Sequence, residues 1–78
     1  MAYSERIDIH GETGESARKK LCEKLKTLPK DTKELVVIHG YHGGHILQDT
    51  VRRFKHPKVE RKILGLNQGE TVFLIKKD

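Results

Sequence analysis

The feature that most constrains this chain is the apolar run Leu35, Val36, Val37 and Ile38, which passes directly into His39-Gly40-Tyr41-His42-Gly43-Gly44-His45. So short an aliphatic run reads as a strand. Without polar alternation it belongs in the middle of a sheet, covered from more than one side. The glycines that follow permit positive φ and close backbone approach. Ile46 or Leu47, Thr50, Val51 and Phe54 then give a helical stripe, with Asp49 early and Arg52, Arg53 and Lys55 late, the order a helix dipole favours. The stretch is therefore a strand-to-helix turn. The first amides of the new helix have no partner within it and suit an anion.

A smaller copy of the pattern lies upstream. Residues 6–9 alternate, with Ile7 and Ile9 on one side and Arg6, Asp8 and His10 on the other, as in an edge strand. Residues 1–5 form a polar lead-in, expected to fray. After the turn at 11–14, Thr13 is placed to cap a helix, with Glu12 and Glu15 where negative charge suits its start. Ala17, Leu21, Leu25 and Leu28 form that helix's apolar stripe, and Pro29 ends it. Beyond Pro57, residues 59–64 mix apolar and charged side chains like a second edge strand. Residues 71–75 form a second unbroken apolar strand, and the loop 65–70 between the two makes a hairpin.

The predicted fold is an α/β two-layer sandwich in the order β-α-β-α-β-β. Short connections with right-handed crossovers make the first three strands parallel, and the hairpin makes the fourth antiparallel. Strand order 1-2-4-3 with both helices on one face satisfies these conditions. The loops at 10–14, 39–45 and 65–70 then gather at the carboxyl ends of the parallel strands, where such sheets bind ligands. Neighbouring strands about 4.8 Å apart are expected to set His10 and His39 side by side at this rim. Asp8, two residues before His10, reaches that ring.

Composition narrows the class. Seventy-eight residues make one domain, with its core at about 6–76. No stretch has the length of a membrane span or the apolar block of a leader peptide, so no membrane partner is expected. Cys22 is alone, which excludes an internal disulfide and fits a cytoplasmic location. Nothing in the sequence calls for a cofactor, and a monomer is expected. Residues 1–50 hold eight Lys/Arg and eight Asp/Glu, so the net charge of +5 comes from residues 51–78. A basic excess of this kind favours nucleic acid as partner.

At Ile7-Asp8-Ile9-His10-Gly11 and Val37-Ile38-His39-Gly40 the sequence resembles the Smr (small MutS-related) domain family. That family carries an aspartate-leucine-histidine-glycine box on its first strand, a histidine-glycine-x-glycine turn after its second, and a glycine-containing loop before its last. The resemblance runs from about Arg6 to Lys76. It implies a fold like the C-terminal domain of translation initiation factor 3, and activity as a nuclease on RNA or DNA, in some members tied to the ribosome. Asp8, His10 and Gly11 match the first box, with Ile9 for leucine; His39 and Gly40 match the second. The family's usual lysine is Tyr41 here, its next glycine is His42 unless one residue is inserted, and its helix arginine is Gln48.

As a nuclease, the chain would use Asp8, His10 and His39 for catalysis. Gly11, Gly40, Gly43 and Gly44 would hold phosphate by backbone amides. Tyr41, His42, His45, Gln48, Arg52, Asn67, Gln68 and Gly69 complete the expected nucleic-acid surface. RNA is preferred over DNA, since a 2′-hydroxyl supplies an internal nucleophile without a metal. Other readings stay open. The same surface suits a non-catalytic RNA- or ribosome-binding module, and a protein-interaction domain is a third reading. Asp8 and His10 could simply tie two loops together. A zinc site from His10, His39, His42 and His45 has unusual spacing and no thiolate, and none is expected.

Overall fold

The computed structural model describes residues 3–40, 46–65 and 69–76. Its elements are β1 (Ser4–Asp8), α1 (Gly14–Lys26), β2 (Glu34–Ile38), α2 (Ile46–Arg53), β3 (Val59–Leu64) and β4 (Glu70–Ile75). They form one four-stranded sheet in the order β1-β2-β4-β3, as the chain order and crossover rule require. β1 runs parallel to β2 from Ser4↔Glu34 to Asp8↔Ile38, and β4 is antiparallel to both its neighbours.

β1 begins two residues earlier than the alternation suggests. Ser4 and Glu5 are paired rather than frayed, because Lys33 and Glu34 donate backbone N–H groups to the Tyr3 carbonyl at 2.7 and 3.1 Å. Thr13 caps α1 as expected. Its hydroxyl accepts from the Ser16 N–H at 3.1 Å, while Ser16 Oγ accepts from the Thr13 N–H at 3.0 Å, a closed capping box. Glycine at the first position of α1 lets the helices close up: a Cβ there would stand 2.9 Å from Thr50 Oγ1 on α2.

The core lies between the helices and one face of the sheet. Ala17, Leu21 and Leu25 from α1, and Val51 and Phe54 near α2, meet Leu35, Val37 and Phe73 from the sheet, with Ile9 at the rim. Phe54 and Phe73 stack with ring centres 5.9 Å apart. Cys22 is half-buried and packs against this cluster. Truncating Phe73 would cost about 3–5 kcal/mol, the range for an aromatic lost from a filled core.

The central strands are covered differently from expectation. Two helices blanket one face only. Val36 and Ile38 on β2, and Val72 and Leu74 on β4, alternate with the buried residues and stay half-buried on the other face. Arg6 reaches across that face to Glu70, guanidinium to carboxylate 3.6 Å. An unbroken apolar run marks a central strand here, but with one deep face and one shallow one.

Candidate functional site

The rim is built by three turns that interlock. Ile9 continues the β1 pairing by donating to the Ile38 carbonyl at 2.8 Å. His39 and Gly40 both donate backbone N–H groups to the Gly69 carbonyl, at 2.9 and 3.0 Å. The loops after β1, after β2 and before β4 therefore meet, as the topology requires. Gly11 and Gly40 have φ of 79° and 73°, left-handed backbone that ordinary side chains resist. A Cβ on Gly40 would stand 3.6 Å from that of His10, so the two turns touch.

At their junction sits one imidazole–carboxylate pair. Asp8 Oδ1 accepts from the His10 backbone N–H at 3.0 Å and lies 2.5 Å from His10 Nδ1. The bond to the carboxylate, and then its charge, raise the His10 pKa above the ordinary imidazole value, with Glu12 adding a little. The same bond, with the backbone N–H, lowers the Asp8 pKa. Both side chains are open to solvent, at 72% for His10 and 51% for Asp8. Asp8 fixes the Nδ1 edge of the ring, so the Nε2 edge is the one left for a ligand.

His39 does not join this pair. It is 3% exposed, shares the buried side of the chain with Ile9, and has both ring nitrogens engaged. Nδ1–H donates to the Gly40 carbonyl at 2.8 Å, and Nε2 meets the Thr71 hydroxyl at 3.0 Å. The expectation of two imidazoles side by side fails for a simple reason. The parallel register sets His39 beside Ile9 rather than His10. Successive residues of a strand face opposite sides, so His39 follows the parity of Val37, whereas His10 follows that of Asp8. Thr71, 32 residues away, is the partner that sequence reasoning missed.

The other expected residues divide. Gly11, Gly40 and Gly69 are at the rim, where the Gly69 carbonyl clamps the β2 turn. Gln48 lies half-buried in the first turn of α2. Arg52 is exposed in the last turn of that helix, roughly 9 Å along its axis from Ile46, so it does not line the rim. Tyr41, His42, Gly43, Gly44, His45, Asn67 and Gln68 fall outside the described residues. Among the described residues, no three potential ligands converge on a metal position, and no helix is long and apolar enough to cross a membrane.

Nor does the basic last third gather at the rim. α2 starts at the rim and ends far from it, and β3 starts at that far end, level with Ile75. Lys58 Nζ donates to the Leu25 carbonyl at 2.8 Å, capping the last turn of α1. Lys62 Nζ donates to the carbonyls of Arg52, at 2.7 Å, and Phe54, capping α2. Two of the expected nucleic-acid cations thus neutralise helix ends.

An α/β two-layer sandwich with three turns gathered at the carboxyl ends of its parallel strands is the class these features define. Among solved structures the chain is similar to the Smr domain of Thermus thermophilus MutS2, with a TM-score of 0.82 and 20% sequence identity, over 92% of this chain and 98% of that one. The fold is the Smr-domain fold. No protein-family model and no curated protein matches the sequence.

Proposed function

We propose that this domain acts on nucleic acid at the rim, as an endonuclease with RNA preferred over DNA, and that His10 is its acid–base group. The observation that carries the reading is the Asp8–His10 pair, 2.5 Å apart and open to solvent beside the left-handed Gly40 turn. The raised pKa favours the protonated ring, which suits His10 to donate a proton. In RNA the 2′-oxygen attacks the adjacent phosphorus and releases its proton to water. The P–O5′ bond breaks, and His10 Nε2–H protonates the departing 5′-oxygen. The products are a 2′,3′-cyclic phosphate and a 5′-hydroxyl. His39 acts at one remove, holding the Gly40 carbonyl and Thr71 so that the turn keeps its shape.

The test is cleavage of an end-labelled RNA by wild type and by His10→Ala. A loss of about 10²–10⁴-fold is expected from removing a general acid. Equal rates would take His10 out of the chemistry. The rival reading is an RNA- or ribosome-binding module on the same surface. It is favoured by Gln48 where the resemblance expects a cation, and by a rim whose described side chains include Asp8, Glu12 and Glu70. Such a module binds RNA or ribosomes with strong salt dependence and cuts neither.

A further inference from the structure

The end of the molecule opposite the rim, its foot, carries a cationic groove that the rim chemistry does not use. We propose that this groove is a separate binding surface for the sugar–phosphate backbone of a nucleic acid, held by Lys26, Lys55 and Arg61 around His56.

Topology brings these residues together. α1 and α2 both end at the foot, and β3 begins there, so Lys26, Lys55, Lys58 and Arg61 converge from three elements. Cross-links tie the level together: Lys76 donates to the Lys58 carbonyl at 2.8 Å, and Ile75 to that of Lys33 at 2.9 Å. Arg61 pairs with Leu74, in the row of Ser4 and Glu34, the row farthest from the rim within β1 and β2. A groove of about 380 Å³ is lined here by Phe54, Lys55, His56, Val59, Glu60, Arg61 and Lys62; Lys26 stands outside this lining, close enough for its charge to act on His56.

The chemistry of the groove suits a phosphate chain. Lys26, Lys55 and Arg61 are exposed, and among the described residues none has an ion-pair partner. Glu5, Asp31, Glu34 and Glu60 are carboxylates near this end; Glu5 is bonded to Lys24, and among the described residues none of the four is bonded to those cations. The lysines are close enough to feel one another. Burial first, then Lys58 and Lys26, depress the His56 pKa; burial and Lys55 do the same to Lys62. His56 lies flat against Phe54, ring planes 11° apart, and its Nδ1 accepts the Lys58 backbone N–H at 3.1 Å. The neutral ring therefore carries its proton on Nε2, an oriented donor among exposed cations. A guanidinium fork, ammonium groups and one oriented N–H are the donors that phosphate oxygens take. The surface is concave, and the apolar side chains that line it, Phe54 and Val59, are buried or half-buried rather than presented to a bilayer.

The experiment is a salt titration of binding to labelled single-stranded RNA. The variant is Lys26→Gln/Lys55→Gln/Arg61→Gln, which removes exposed charges and spares the capping lysines 58 and 62. Its log–log salt slope is expected to be shallower than wild type by about 2, from three lost phosphate contacts at about 0.7 each. A matched variant on α1, Arg18→Gln/Lys19→Gln/Lys20→Gln, is expected to change the slope by less than half as much. A wild-type slope in the foot variant, or an equal loss in the α1 variant, overturns the assignment. So does wild-type protein that binds phosphatidylserine vesicles but not RNA. Cleavage at saturating RNA separates the two proposals: a foot variant that binds with the shallower slope keeps this assignment whether or not the rim cuts.

Discussion

Rim and foot are made from the same elements and have opposite character. Asp8, Glu12 and Glu70 lie at the rim, and Glu15 and Asp49 occupy the first turns of the two helices that start there. Its exposed imidazole, His10, is held by Asp8, and Lys20 is bonded to Glu12 at 2.7 Å. At the foot the helices end in Lys24 and Lys26, and in Arg52 and Arg53. The parallel arrangement of both helices produces this split. Acidic residues favour helix starts and basic residues favour helix ends, so two helices pointing the same way give the whole molecule a polarity. Net charge alone does not reveal this split; only its distribution does.

Several measurements would break or sharpen that contrast. The largest effect is expected at the rim, where His10→Ala should lower RNA cleavage by about 10²–10⁴-fold with unchanged binding. Next comes Thr71→Val, which leaves Nε2 of the buried His39 without its partner; about 1–3 kcal/mol should be lost in urea unfolding. Gly40→Ala should cost about 1–2 kcal/mol through its left-handed backbone, since a Cβ meets no clash there. At the foot, Lys62→Met should weaken the cap of α2 by about 1 kcal/mol, read as a lower unfolding midpoint. No loss in that variant would mean the foot's lysines are all equally free.

The smallest effect on stability concerns the Asp8–His10 pair, which is too exposed to contribute much. Its sign is nonetheless definite. The raised His10 pKa contributes below the ordinary value of 6.5 and is lost as pH rises through the folded one. The lowered Asp8 pKa contributes above 3.8 and is lost as pH falls through its own folded value. Both are present only between those limits. The same shift governs the proposed chemistry: cleavage should fall as pH rises through the His10 pKa. Asp8→Asn should move that fall, and the His10 ring signals in an NMR titration, toward lower pH. An unmoved titration would show that Asp8 does not tune the ring.

Legibility differed sharply between fold and site. Strand order followed from two unbroken apolar runs, two mixed ones and the handedness of short crossovers, all local signals. Thr13 read correctly as a cap because capping is decided within four residues. The pairing of Asp8 with His10 was legible because it spans two residues. The place of His39 beside His10 read wrongly because its setting depends on Thr71, and nothing in the basic last third signalled that Lys58 caps the carbonyl of Leu25, 33 residues away. No sequence pattern distinguishes a solvated lysine from one folded over a helix end.

The sequence by itself therefore determined which segments are strands and helices, their order in the sheet, and the meeting of three turns at one edge. Periodicity and chain connectivity encode these, and both are properties of neighbours along the chain. Only the tertiary structure decided which imidazole faces solvent, which lysines are consumed as caps, and that Lys26, Lys55 and Arg61 stand at the end away from the turns. Those outcomes depend on which face of a twisted sheet the helices cover and on contacts between distant residues, where hydrogen-bond geometry rather than residue type selects the partner.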